Sequence, residues 1–380
     1  MRTISFSNPG KLVFGEEAFA ALKADLSASG LRRLYIVSIK PLESTLNELE
    51  ATLAAAGIEV MFNYSIVEEP TFAEFEDILE VVRSFKADGV IGIGGGSVLD
   101  VAKLLAAQIN GRQSIDEIVG IGNLAGRDTY LACVPTTSGT GSEVSPNALF
   151  TSDDGSKLGV ISPHLVPDAA YVCPELTVSV PAPVTAATGI DAFTHCLEAY
   201  ANNYAHPMAD VLAIKGLEVI ARNLVTACRN PKDIDARTQV ALGSVYGGMC
   251  LGPVNTGAVH ALAYPLGTEF HIPHGLSNAL LLPYVMDFNL PAATREYAEV
   301  AKAIGAPVAD TALETARNGI QAVRQLIADC EIPARLSDVS IPRDAIPRMA
   351  EGAIQVQRLL KNNPREVTLD DAVAIYTAAY

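Results

Sequence analysis

Basic residues are scarce in this 380-residue chain, with 27 Lys and Arg against 43 Asp and Glu and a formal net charge of −16. Nucleic acid and anionic membranes are held by cationic surface, so neither is expected as a partner, and small-molecule chemistry is the expectation instead. No apolar run reaches the roughly 18 residues of a membrane span. The first six residues carry no apolar leader core and no cleavage site, so a cytoplasmic location is expected. Cysteine is sparse too. The six thiols, Cys133, Cys173, Cys196, Cys228, Cys250 and Cys330, form no CxxC pair and no framework spacing, which predicts reduced, mostly buried side chains. Internal repeats and low-complexity segments are lacking. Histidine is limited to six positions, of which His164 and His206 read as surface residues.

What is present is apolar and well mixed. Hydrophobic residues make up 49% and charged residues 18%, which excludes global disorder and fits a globular enzyme. The length exceeds one ordinary core, so two domains are expected. Residues 3–6 and 11–14, on either side of Asn8-Pro9-Gly10, predict a short edge hairpin. After it, strands at 34–38, 58–63, 90–93, 130–135 and 170–173 alternate with helices at 16–28, 42–56, 71–86 and 97–109. That alternation predicts a parallel α/β sheet with right-handed crossovers. Pro174, Pro181 and Pro183 end it, placing a domain boundary near 180. Beyond lie helical periods at 184–204, 208–226, 234–250, 292–304, 309–328, 344–360 and 369–379, with almost no strand signal. The expected architecture is an α/β Rossmann-like domain over 1–180 and an all-α helical bundle over 181–380.

Two loops of the first domain suit a nucleotide. Gly94-Gly95-Gly96-Ser97 joins an apolar strand to an amphipathic helix, where glycines permit close backbone approach and the helix start offers free N–H groups to a pyrophosphate. Pro135-Thr136-Thr137-Ser138-Gly139-Thr140-Gly141-Ser142-Glu143 follows another strand, and its hydroxyls and amides could line the same ligand. Gly120-Ile121-Gly122-Asn123-Leu124-Ala125-Gly126 reads as a flexible surface loop instead.

The second domain carries Gly189-Ile190-Asp191-Ala192-Phe193-Thr194-His195, and Asp191 and His195 leave one face of a helix. His260 follows, and then His274 within Pro273-His274-Gly275, a turn or helix start. A histidine in an apolar run also reads as a satisfied core residue. One carboxylate and three imidazoles together make a candidate shell for a divalent transition metal.

Taken in order, these strings resemble the iron-containing (group III) alcohol dehydrogenases over almost the whole chain. They are Gly94 to Ser97 with Asp100, Ala102 and Lys103; Pro135 to Glu143; Gly189 to His195 with Glu198; His260-Ala261-Leu262-Ala263; Pro273-His274-Gly275; and Asn363-Pro364-Arg365. The resemblance implies NAD or NADP on the first domain and a metal in the second, Fe²⁺ with Zn²⁺ as the alternative. It implies Asp191, His195, His260 and His274 as ligands, and Gly94, Gly95, Gly96, Ser97 and Asp100 as the pyrophosphate loop. Thr136, Thr137, Thr140 and Ser142 would face the cofactor, Lys157 its ribose, and Asn147 the substrate pocket. A homo-oligomer, a dimer, is also implied.

Two departures stand out. Many members carry a further histidine four residues after the third ligand, where this chain has Tyr264 on the same helical face as His260. Tyr264, His271 and the ribose hydroxyls are thus the candidates for the proton path. Many NAD-preferring members end the first long strand with Asp, where this chain has Ile39. With Lys40, and Arg32 or Arg33, near enough in sequence to meet a phosphate, NADP is expected to be accepted. The expected function is reversible hydride transfer between a small alcohol and NAD(P). The competing reading is a metal- and NAD-dependent lyase or cyclase resembling dehydroquinate synthase. It calls for Lys and Arg near the metal to hold an anionic substrate, and residues 184–204 contain none.

Overall fold

The computed structural model describes residues 2–66, 71–151 and 157–380. They fall into two compact units. A sheet unit comprises Ser7–Thr137 and Gly141–Thr177, and a helical unit comprises Val178–Tyr380, Ser138–Thr140 and the amino-terminal stretch up to Phe6.

In the sheet unit, strands β1 (Lys11–Phe14), β2 (Arg33–Ser38), β3 (Glu59–Asn63) and β4 (Gly89–Gly94) alternate with helices α1 (Ala18–Ala28), α2 (Glu43–Ala55), α3 (Phe72–Phe85) and α4 (Gly96–Gln108). A short α5 (Ile115–Ile118) precedes β5 (Gly120–Ile121), β6 (Tyr130–Pro135), β7 (Asn147–Thr151), β8 (Lys157–Ile161) and β9 (Ala169–Val172). Six strands form one parallel sheet in the order β1-β9-β6-β4-β2-β3. Both faces are covered. Tyr35 and Val37 of β2 enter one core and Leu34 and Ile36 the other, which is why the strand reads as a continuous apolar run. Helix α3 starts on a reciprocal cap between Thr71 and Glu74 and buries Phe75, Ile78, Leu79 and Val82 along one stripe. Gly92 lets α4 lie directly on β4, since a Cβ there would come within 2.8 Å of that of Ala102.

Counted from β2, the order is second, first, third, fourth, fifth, the flavodoxin-like doubly wound arrangement. Its switch point lies between β2 and β4, where ligands of such sheets bind beyond the carboxyl ends of the strands. Ile39 follows β2 and Gly95 follows β4, so both flank that point. Ser38 ties the two strands there, its hydroxyl donating to the Ile93 carbonyl at 2.7 Å.

Several expectations are corrected. Residues 3–6 form no strand: β1 pairs in parallel with β9, and Ile4 and Phe6 pack on the helical core. The 120–126 segment is not simply a loop, because Gly120 and Ile121 pair with β8 in a second, three-stranded sheet ordered β5-β8-β7. Arg33 opens β2 and Ile39 lies past its end, roughly 20 Å away at about 3.3 Å per residue. Neither Arg32 nor Arg33 can therefore share a phosphate with Ile39, and Arg33 Nε donates to the Lys86 carbonyl instead.

The helical unit contains α6 (Ala182–Tyr200), α7 (Pro207–Arg229), α8 (Ile234–Leu251), α9 (Ala258–Phe270), α10 (His274–Asn289), α11 (Thr294–Ala303), α12 (Ala312–Asp329), α13 (Ile346–Ile354), α14 (Gln357–Leu360) and α15 (Leu369–Ala379). Helix α6 is buried without a break from Gly189 to Ala199 and packs against α7, α8 and α10, so it is the axis of the unit. The single helix expected over 344–360 is divided into α13 and α14. His206, expected at the surface, is buried and accepts from the Met208 N–H through Nδ1, capping α7. All six cysteines are buried and free of disulfides. Among the described residues, no helix is long and apolar enough to cross a membrane.

Candidate metal centre and nucleotide loops

Asp191 and His195 lie one turn apart on α6, His260 enters from the first turn of α9, and His274 is the first residue of α10. Gly275 makes the last approach possible: a Cβ at that position would run into the Ala187 carbonyl of α6. Asp191 Oδ1 lies 3.7 Å from His195 Nε2, 3.5 Å from His260 Nε2 and 3.6 Å from His274 Nε2. The donor atoms of Asp191, His195 and His260 also lie within 4.8 Å of one another. Ligands at about 2.0–2.2 Å from a tetrahedral ion stand roughly 3.3–3.6 Å apart. The spacing around Asp191 fits that edge, and N/O donors of this kind suit iron or zinc.

Electrostatics point the same way. Burial alone would raise Asp191, but His195, His274 and His260 outweigh it and hold the carboxyl well below the usual carboxylate range. Burial lowers His195 despite Asp191 beside it. Burial also works against charge on His260, yet Glu198 and Asp191 push it up to about 9. Such a cluster favours a cation at its centre.

Two residues outside the expected set hold this cluster in place. Glu198 Oε2 is 2.5 Å from His260 Nδ1, and its Oε1 accepts from the Val259 N–H at 2.6 Å. A carboxylate only accepts, so Nδ1 carries a proton and Nε2 is the nitrogen turned to Asp191, free to ligate once its own proton has left. Asn278, one turn after His274, donates from Nδ2 to Asp191 Oδ1 at 2.7 Å, while its Oδ1 is buried without a partner. Glu198 had a sequence signal, since it follows His195 at i+3. Asn278 had one only in its i+4 spacing from His274.

The side of the centre marked by His274 is the open one, its side chain 23% exposed against 3–6% for the other three. The ring of Tyr264 stands there, 6.4 Å from that of His274. Its hydroxyl accepts from Arg358 Nη2 at 2.6 Å. His271 is exposed and holds the left-handed cap of α9, three residues before His274.

In the sheet unit, α4 begins at Gly96 without a side-chain cap, leaving its first N–H groups to a ligand, and Gly95 to Ser97 are partly exposed. Gly94, by contrast, is buried, and Thr136 donates to its carbonyl at 2.9 Å. Thr137 and Thr140 are half-buried, and Thr140 belongs with Ser138 and Gly139 to the helical unit. Asp100 accepts from the Ser142 hydroxyl at 2.5 Å and the Leu149 N–H at 2.9 Å, bracing the second loop. Lys103 is fully buried and donates to the Ser145 and Asn147 carbonyls at 2.9 and 2.8 Å, fixing the start of β7. Asn147 Oδ1 is buried without a partner. Ile39 is half-buried against both cores. The side chain of Lys157 lies outside the described residues.

The chain thus joins a doubly wound sheet unit to a helical unit in which Asp191, His195, His260 and His274 converge, a candidate metal-dependent enzyme. Residues 9–174 match the family model described as iron-containing alcohol dehydrogenase, and residues 185–380 match that of the Fe-containing alcohol dehydrogenase family, C-terminal. The long-chain-alcohol dehydrogenase 1 of Geobacillus thermodenitrificans (strain NG80-2) is 38% identical over 338 residues, 88% of this chain and 85% of that protein. Among solved structures, a 1,3-propanediol oxidoreductase superposes with a TM-score of 0.96 at 31% identity over 100% of both chains. The sulfoacetaldehyde reductase of Bifidobacterium kashiwanohense, solved in complex with NAD⁺, gives 0.89 at 26% identity, covering 100% of this chain and 99% of its own. The chain belongs to the iron-containing alcohol dehydrogenase family and is an oxidoreductase; the lyase reading is not favoured.

Proposed function

We propose that this chain interconverts a small alcohol and its aldehyde or ketone with NAD(P), releasing one proton in the oxidative direction. The observation that carries the reading is the set of three imidazole Nε2 atoms at 3.5–3.7 Å around Asp191 Oδ1. Asp191, His195, His260 and His274 are the ligands we assign, with iron as the metal by family membership and zinc as the alternative. When bound, the ion supplies Lewis acidity toward the alcohol oxygen and the nicotinamide supplies the hydride acceptor. Glu198 keeps His260 in the ligating tautomer, and Asn278 holds the Asp191 carboxylate in place. Tyr264 shapes the open side, and its hydroxyl and His271 are the groups we assign to the proton path.

On the sheet unit we assign the pyrophosphate to Gly94, Gly95, Gly96 and Ser97. Thr136, Thr137, Thr140, Ser142 and Lys157 are assigned to the rest of the cofactor, Ile39 to the adenosine end and Asn147 to the substrate. Asp100 acts by bracing Ser142. The NAD⁺ complex of the sulfoacetaldehyde reductase supports a nicotinamide cofactor. The reading includes a cytoplasmic, dimeric enzyme, supported by the six buried thiols and the family resemblance.

The test is a panel of alcohols and aldehydes run with NAD and NADP separately on metal-loaded enzyme, alongside elemental analysis of Asp191→Ala and His274→Ala. Reversible NAD(P)H formation with an alcohol, and loss of metal and turnover in both variants, is the expected result. Normal metal content with normal activity in the variants would overturn the ligand assignment, and turnover without net cofactor reduction would overturn the reaction.

A further inference from the structure

Several arginines of this acidic chain lack a carboxylate partner and donate to backbone carbonyls instead, as Arg33 does to Lys86 and Arg365 to Phe288, whereas Arg358 is held by a phenol. Arg127 pairs with Asp168, Arg324 with Asp287 and Arg348 with Glu269, each at 2.5–2.7 Å. The buried Arg237 donates to the Val180 and Pro231 carbonyls and to the Thr185 hydroxyl. Arg358 is half-buried, yet among the described residues it forms no ion pair. Its guanidinium donates to the Tyr264 hydroxyl at 2.6 Å and lies 5.6 Å from the centre of the same ring. A phenol orients a guanidinium but leaves its charge uncompensated, and in a chain with 43 acids and 27 bases a carboxylate partner was readily available.

Its position gives that charge a use. The metal cluster is open on the side of His274, Tyr264 lies against His274, and Arg358 is held on Tyr264. An aldehyde presenting its oxygen to the cluster from this side would have the Tyr264–Arg358 pair beside it, and the remaining N–H groups of the guanidinium are suited to a planar or trigonal oxyanion.

We propose that Arg358 is a specificity-determining residue and that the preferred substrates are short aldehydes, or the corresponding alcohols, whose tail ends in a carboxylate or sulfonate. This rests on the dehydrogenase reading above and narrows it. Tyr264 is the positioning residue that aims the guanidinium.

The test compares kcat/KM of the metal-loaded enzyme for glyoxylate, succinic semialdehyde and sulfoacetaldehyde with propanal, butanal and methyl 4-oxobutanoate, in wild type, Arg358→Met, Arg358→Lys and Tyr264→Phe. Wild type should favour the charged tails. Arg358→Met should lower kcat/KM for them by about 10- to 100-fold, mostly through KM, as expected for a lost charge-assisted contact. Neutral aldehydes should lose distinctly less than the charged ones, their loss being that of the contact to the Tyr264 hydroxyl alone, and Arg358→Lys should recover part of the loss for charged tails. Competitive inhibition by methanesulfonate, strong in wild type and weakened in Arg358→Met, gives a second readout independent of turnover of the charged aldehydes. The carboxylate and sulfonate arms tell which oxyanion fits better. Equal losses for charged and neutral aldehydes in Arg358→Met, or a wild-type preference for neutral tails that the variant leaves unchanged, would overturn the proposal. Absence of turnover with every aldehyde would instead count against the dehydrogenase reading.

Discussion

Glu198 grips His260 Nδ1 at 2.5 Å with one oxygen and the Val259 N–H at 2.6 Å with the other, so a single carboxylate fixes both the tautomer of a candidate ligand and the first turn of its helix. In Glu198→Gln one of those two donors must face an NH₂ group. Because the Val259 N–H cannot change its role, the amide oxygen turns to it and the imidazole is driven to the wrong tautomer. Metal affinity should fall about 10- to 100-fold, the usual effect of removing such an outer contact. Competitive titration against a chelator measures it, and an unchanged affinity would sink the assignment.

The same pair sets a pH dependence. His260 in the metal-free protein is pushed up to about 9, so below that pH a proton must leave before Nε2 can ligate. Metal uptake at pH 8 should release about one proton, with affinity rising as pH increases toward 9. A folded pKa above the ordinary histidine value also means stability that is complete below about pH 6.5 and lost as pH rises through 9. Metal-free protein should accordingly melt at a lower temperature at pH 9 than at pH 6, and this difference should shrink in Glu198→Gln. Calorimetry in two buffers of different ionisation enthalpy counts the protons, and a count of zero in wild type would contradict the argument.

Gly275→Ala tests how α10 is brought to α6. The added methyl meets the Ala187 carbonyl, which is backbone and cannot turn away, so α10 must shift and carry His274 with it. Overpacking of this kind costs about 1–3 kcal/mol. The variant should melt lower and bind metal more weakly, while a nearby exposed change such as Glu269→Ala leaves metal content alone. Wild-type metal binding in Gly275→Ala would mean that the helix start has more room than the structure gives it.

Sequence reading carried far where local signals agreed. The strands β2, β4 and β6 are continuous apolar runs because both sheet faces are covered, and α3 was visible in its stripe from Phe75 to Val82. Part of the candidate cluster was legible because Asp191 and His195 share a helix. Helices α9 and α10 lie outside the helical periods that the sequence shows. Each contains a proline, Pro265 and Pro283, and both are largely buried, which erases the one-sided pattern that periodicity detects. The β7–β8 pairing was also missed, since Asn147–Thr151 follows directly on a Gly- and Thr-rich loop that masks its alternation. The spacing of Glu198 from His195 and of Asn278 from His274 hinted at a shared face, but their contacts with His260 and Asp191 come from long-range packing, which spacing alone does not encode.

Ile39 governs the last prediction, which concerns the cofactor. It follows β2 at the switch point of the sheet, where in nucleotide-binding folds an acidic residue hydrogen-bonds the ribose hydroxyls of NAD and repels the added phosphate of NADP. An isoleucine does neither, so discrimination rests on neighbouring charge. Arg32 and Arg33 lie at the far end of the strand, and Lys40 is paired with Glu43 at 2.6 Å, so little net positive charge remains to favour the phosphate. NADP should be accepted beside NAD with weak preference either way. Ile39→Asp should then shift the ratio of kcat/KM toward NAD by about 1–3 kcal/mol, the range for a hydrogen bond to a charged group, or roughly 5- to 150-fold. Because Ile39 packs partly against both cores, the melting temperature of the variant must be recorded with its kinetics. A folded Ile39→Asp enzyme with the wild-type NAD/NADP ratio would show that position 39 does not reach the ribose.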